Sequence, residues 1–193
     1  MYAAQVRGEI EESALDHMLQ EIVLLPEKVA SILADKERIQ WFANKFASAH
    51  DVFFIGRGLD YAISQEGSLK MKEVSYVHSE AYAAGELKHG TISLIEDGTL
   101  VIGVLTQSHL CEKTLSNMQE VKSRGAYLMG VAENGSYYLE DMVDFVVYVP
   151  KTDPHFTTTL AIIPLQLMGY YVSVARGLDV DKPRNLAKSV TVE

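Results

Sequence analysis

The chain has 193 residues, 48% apolar and 22% charged, which is the makeup of an ordinary globular protein rather than a disordered or fibrous one. Its formal net charge of −9 argues against sequence-independent binding to nucleic acid, while leaving room for a local basic pocket for a phosphorylated small molecule. The single cysteine, Cys111, rules out an internal disulfide and a cysteine-cluster metal site, and fits a reducing compartment.

No basic stretch leads into an apolar core at the start, so no secretory leader is expected, and Met1 to Gly8 reads as irregular. Glu9 to Leu25 has helical spacing, with Leu15, Met18, Ile22 and Leu25 on one stripe. Pro26 is placed to begin a new helix, along which Val29, Ile32 and Leu33 continue the stripe to Ala34. Asp35 is expected to cap a third helix, Lys36 to Ala49, anchored by Ile39, Trp41, Phe42 and Phe46.

From Asp51 the pattern changes. Val52 to Ile55 is a short continuous apolar run bounded by Gly56-Arg57-Gly58, which predicts a buried parallel strand and a tight turn into a helix. That helix is expected over Ile63 to His78, followed by a turn-rich segment ending in Lys88-His89-Gly90. Leu100 to Leu105 predicts a second strand, and Thr106-Gln107-Ser108 leads into a helix near Leu110 to Ser123, ended by Gly125. Ala126 to Val131 and Asp144 to Val149 predict a third and a fourth strand, with a turn at Asn134-Gly135. Phe156 to Arg176 predicts a long helix, fully or nearly buried and closed by Gly177. Its apolar run, Leu160 to Val174, is too short and too interrupted by Pro164, Gln166 and Gly169 to span a bilayer, so no membrane partner is expected. Val180 to Glu193 is a polar tail. Strands alternating with helices imply an α/β fold with a parallel sheet covered on both faces, and ligands at the carboxyl ends of its strands.

The short motifs leave alternatives open. Gly56-Arg57-Gly58 lacks the third glycine of a dinucleotide fingerprint, since position 61 is Tyr, and a plain tight turn is favoured. Thr106-Gln107-Ser108 fits either a phosphate held on hydroxyls and free amides or ordinary helix capping. Cys111, near a helix start, has no His or acid partner that marks it as reactive, and a packed thiol is favoured. His17, His50, His109 and His155 show no metal-ligand spacing, and neither a metal nor a cofactor is expected.

On a helical wheel over Ile63 to His78, Ser64, Gln65, Ser68, Lys72 and Ser75 gather on the side expected to be wet. Glu66, Lys70 and Glu73 fall on the opposite side, with Ile63, Gly67, Val74 and Val77, where charges cost energy unless paired or used. Lys70 and Glu73, three apart, can touch, and the pattern leaves an ion pair and a functional pair equally open. His89 and the tail residue Lys188 read by themselves as structural and solvated, although a lysine in a suitable pocket can form a Schiff base with a carbonyl.

Taken together, Gly56-Arg57-Gly58, Glu66-Gly-x-Leu-Lys-x-Lys-Glu73, His78-x-Glu80-Ala-Tyr-Ala-Ala-Gly-Glu-Leu-Lys-His89-Gly90 and Asp181-x-Pro-Arg-Asn-Leu-Ala-Lys-Ser-Val-Thr-Val-Glu193 closely resemble the glutamine–fructose-6-phosphate aminotransferase (isomerizing) family, the glucosamine-6-phosphate synthases. The resemblance implies a sugar isomerase (SIS) domain, a flavodoxin-like three-layer α/β/α fold with a parallel sheet. It divides the chain into leading linker helices (1–35), the SIS domain (36–177) and a catalytic tail (178–193). It implies the second of two such domains in an enzyme whose glutaminase domain and first SIS domain are missing here. Residue 2 is Tyr, not the cysteine with which a glutaminase begins after Met removal. The first SIS domain would carry most of the phosphate cradle. Here His109 and Leu110 follow Thr106-Gln107-Ser108 where such a cradle wants small residues.

The resemblance assigns roles residue by residue. Glu73 is the base that moves a proton between C1 and C2 of the sugar, with Lys70 beside it. His89 opens the hexose ring and reaches into a neighbouring subunit. Lys188 forms a Schiff base with the C2 carbonyl of fructose 6-phosphate, Ala187 accompanies it at the substrate, and Arg184 lies in the tail that orders around the sugar. Thr91 departs from the family's usual proline after Lys-His-Gly. The implied partners are a sugar phosphate (fructose 6-phosphate or glucosamine 6-phosphate), the missing domains and a second copy in a homodimer, in the cytoplasm. A stand-alone sugar-phosphate-binding module with a regulatory or assembly role is the alternative.

Overall fold

The structure, a computed structural model, describes residues 1–186. Helices α1 (Tyr2–Val6), α2 (Glu12–Leu33) and α3 (Lys36–Lys45) lead into the alternating part. There β1 (Asp51–Gly56), α4 (Leu59–Lys70), β2 (His78–Ala83), β3 (Leu100–Leu105), α5 (Ser108–Lys122), β4 (Tyr127–Glu133), β5 (Phe145–Val149) and α6 (Thr157–Ala175) follow in turn. The five strands form one sheet in the order β2-β1-β3-β4-β5, every neighbouring pair parallel.

Both faces of the sheet are buried, as continuous apolar runs require. Along β1 the side chains alternate between layers: Val52 and Phe54 join one core with α3 and α6, while Phe53 and Ile55 join the other with α5. Phe42 stacks on Phe145 at 4.2 Å in the first core. Met118, Leu128 and Val121 fill the second.

Several expectations need correction. Residues 2–6 are helical rather than irregular. Pro26 does not start a helix but sits inside α2. The backbone bond it cannot donate costs about 3 kcal/mol in a helix interior. Lys28 Nζ, beyond Pro26, donates to Glu21, before it, at 2.6 Å. Asp35 makes no capping bond; its carboxylate takes Arg38 at 2.8 Å instead, and α3 ends at Lys45. Trp41, expected as an anchor, is 63% exposed, while Ile39, Phe42 and Phe46 are buried. Helix α6 is long and apolar enough to cross a membrane, yet it is two-faced here: Leu160, Leu165, Met168 and Val172 are buried, while Tyr170 and Val174 are exposed.

The largest correction concerns the segment after β1. The helix is α only to Lys70; Met71–Ser75 forms a π-helical turn, Tyr76 stops it in the left-handed region (φ 58°), and His78–Ala83 is a fifth strand at the sheet edge. A π turn carries an extra residue and rotates everything beyond it relative to a 3.6-residue wheel. The serines placed on the wet face are buried as well, two of them ahead of the π turn, because their hydroxyls find partners inside the core. Ser64 donates to the Asp60 carbonyl, Ser75 to that of Met71, and Ser68 pairs with Ser79 of β2. Gly67 is glycine because a Cβ there would stand 2.7 Å from Leu165 Cδ1, which lets α4 close on α6.

Candidate functional site

Helix α4 runs back from the carboxyl end of β1 to the amino end of β2, so its last turn lies at the edge opposite to the one where α/β sheets usually bind ligands. On that turn Lys70 Nζ lies 2.7 Å from Glu73 Oε2 and 3.5 Å from Glu66 Oε1. Their side chains are 35%, 26% and 41% exposed, so the three charges line a half-open rim rather than the packed face expected for them. The hydrogen bond to Glu73 raises the pKa of Lys70 and keeps it cationic.

Glu73 lines an open cavity of about 390 Å3 with Lys72, Tyr76, His78 and, from the other end of the chain, Arg184, Asn185 and Leu186. Tyr76 joins the two parts. Its phenol oxygen accepts the Arg184 amide at 2.7 Å, and its ring lies 4.1 Å beneath the Arg184 guanidinium. Tyr76 escaped the sequence reading, because periodicity gives no signal for a side chain that a left-handed backbone re-aims. The π turn below it is held from α6, where Ser173 Oγ donates to the Val74 carbonyl at 2.8 Å.

The proposed site residues thus separate into groups. Glu73, Lys70 and Arg184 come together. His89 is exposed and follows the far end of β2, whereas Glu73 stands near its start. Six residues of strand, roughly 17–20 Å, lie between them. Within one chain the structure does not bring His89 to Glu73. Ala187 and Lys188 lie outside the described residues.

At the carboxyl ends of the strands, Thr106-Gln107-Ser108 does not cap α5 with a side chain as ordinary capping would. Gln107 is the N-cap of α5 without a side-chain capping bond. The Thr106 hydroxyl, the Thr106 amide (2.9 Å) and the Gln107 amide (3.2 Å) all donate to the carboxylate of Asp60. Gly56 and Gly58 serve this turn: a Cβ on Gly56 would stand 2.5 Å from the Asp60 backbone, and Gly58 has φ +57°. Cys111 is buried, and burial together with Asp60 and Glu133 pushes its thiol up to about 11, so it is a packed thiol.

Comparison with known proteins gives a consistent picture. The SIS domain model matches residues 45–176. The glutamine–fructose-6-phosphate aminotransferase (isomerizing) of Caldanaerobacter subterraneus subsp. tengcongensis is 54% identical over 187 residues, covering 97% of this chain and 31% of that protein. That of Clostridium tetani is 51% identical over 193 residues, covering 100% and 32%. The chain thus spans about a third of the length of these relatives. Among solved structures, the C-terminal domain of glucosamine-fructose-6-phosphate aminotransferase from Francisella tularensis superposes with a TM-score of 0.84 at 33% identity, over 93% of this chain and 51% of that one. With an expected α/β sheet, a family model over most of its length and relatives at half identity, the chain belongs to the SIS domain family.

Proposed function

We propose that this chain is the second SIS half of a glucosamine-6-phosphate synthase, converting fructose 6-phosphate and glutamine-derived ammonia to glucosamine 6-phosphate. The observation that carries the reading is the cavity shared by Glu73 and Arg184–Leu186, which unites the acid–base helix with the start of the tail. In this reading the chain divides into leading helices (1–35), the SIS domain (36–177) and the catalytic tail (178–193).

The chemistry is coherent. Lys188 adds to the C2 carbonyl and loses water to give an imine. Ammonia displaces the lysine, leaving the sugar imine. The imine makes the neighbouring C–H acidic; Glu73 takes a C1 proton and returns it to C2, while the C1 hydroxyl proton passes to the imine nitrogen, leaving an amine on C2 and an aldehyde at C1. Lys70 holds Glu73 in place and offers a cation beside the sugar oxygens. Ala187 and Arg184 contact the substrate.

His89 opens the ring in the site of a second subunit, which makes the active form a homodimer; the length of β2 between His89 and Glu73 supports this. The phosphate is held chiefly by the first SIS domain, the setting is cytoplasmic, and the chain alone is inactive or nearly so. Adding the missing SIS domain in trans tests the reading: isomerisation of fructose 6-phosphate should appear, and E73Q should abolish it. No activity from the reconstituted pair, with tight sugar-phosphate binding by the lone chain, would favour the stand-alone binding module.

A further inference from the structure

The sheet order places the topological switch point between β1 and β3, the two strands whose following connections run in opposite directions. Parallel sheets bind their ligands in that crevice, and phosphates use the free amides where a strand gives way to a helix. Here Asp60 fills the place. It enters from the first turn of α4, is 1% exposed, and takes the Thr106 amide, the Thr106 hydroxyl and the Gln107 amide. These are the donors a phosphate would need.

We propose that Asp60 is a built-in anion that occupies the phosphate-binding donors of this crevice and makes the domain refuse phosphorylated ligands there. What remains open is a cavity of about 200 Å3 lined by Ser108, His109, Glu133, Thr152, Thr157 and Thr158. A second carboxylate, Glu133, lines this cavity and also repels a dianion. Lys151 acts on Glu133 from nearby but does not line the cavity. Both partners of a cradle are therefore present in the backbone, and a side chain of the protein, not a ligand, satisfies them. A carboxylate differs from phosphate in carrying one charge and two oxygens. It takes up two amides and a hydroxyl. The inference is independent of the role given to Glu73, which lies at the other edge of the sheet.

The test follows the Thr106, Gln107 and Ser108 amides by NMR while inorganic phosphate, and separately fructose 6-phosphate, is titrated into the chain and into D60S. In the natural chain these amides should not shift saturably. In D60S they should, with affinity at least about tenfold higher. Saturable shifts in the natural chain with the affinity of the variant would overturn the proposal, as would a folded D60S whose amides ignore both probes. If D60S does not fold, D60N keeps the shape and one acceptor while removing the charge. It must respond more strongly than the natural chain, and an equal response counts against the proposal.

Discussion

Ser173 on α6 and Val74 on the π-helical turn are joined by a hydrogen bond of 2.8 Å from the serine hydroxyl to the backbone carbonyl, one residue beyond Glu73. The π turn widens the helix and leaves its carbonyls without their usual partners, so a bond from outside sets where the turn sits. S173A should cost about 1 kcal/mol of stability in urea unfolding. In the reconstituted enzyme it should also lower kcat by roughly three- to tenfold if Glu73 is the proposed base, because a displaced base loses its alignment with the sugar. S173T keeps the hydroxyl and should recover most of the loss. A loss of stability with unchanged kcat would make Ser173 merely structural.

Cys111 should be slow to react. Burial and two nearby carboxylates raise its thiol from 9.0 to about 11. At pH 8 about one molecule in a thousand then carries the thiolate, against about one in ten for the ordinary thiol. Alkylation by iodoacetamide should run at least about a hundredfold slower in the native chain than in urea, since exposure is lost as well. Equal rates would mean that the thiol is open.

Glu21 should govern acid stability. Its carboxylate accepts Lys28 Nζ (2.6 Å), the Thr152 hydroxyl (2.6 Å) and the Asp153 amide (3.0 Å), tying α2 to the loop after β5. These bonds, led by Lys28, pull its pKa from 4.5 down to about 2. A carboxyl whose folded pKa is depressed stabilises the fold above its unfolded pKa and stops doing so as pH falls through the folded one. E21Q should therefore be less stable than the natural chain at pH 7, by about 1–3 kcal/mol. The difference should shrink from pH 4.5 downward and vanish near pH 2. A difference that stays constant across this range would show that ionisation of Glu21 contributes nothing.

Most of the fold was legible because apolar runs as dense as Val52–Ile55 and Leu100–Leu105 have one reading between glycine-bearing turns. What escaped depended on backbone detail. β2 is polar and sits at the sheet edge, so His78-Ser79-Glu80 carries no strand signal. The wheel over Ile63 to His78 failed at Met71, where the helix changes period, and it failed for the serines because their hydroxyls are satisfied within the core. Glu73, Lys70 and His89 were proposed through motif resemblance, and no periodicity would have separated them from an ordinary rim of charges. Asp60 gave no signal at all: an acid in the first turn of a helix is the commonest place to find one.

Glu73 and Lys70 should prove dispensable for folding and not for turnover. Their pair is partly solvated, so its removal should shift stability by no more than about 1 kcal/mol. E73Q removes the proposed proton carrier and should lower kcat by roughly 10²- to 10⁴-fold with KM little changed. Lys70→Met should lower kcat by less, since the base itself remains. If E73Q keeps wild-type turnover, the base is another group.

His89 and Glu73 can be assigned to the same or to different subunits by mixing two inactive variants. H89A retains the proposed base, and E73Q retains the histidine proposed to open the ring. If each active site takes Glu73 from one subunit and His89 from the other, a mixed dimer has one complete site and one site missing both groups. Random mixing makes half the dimers mixed, so the reconstituted mixture should regain about a quarter of the natural activity. If both groups came from one chain, every site would lack one of them and the mixture would stay as inactive as its parts. The β2 strand between the two residues favours recovery, because its length keeps His89 from the Glu73 cavity of its own subunit.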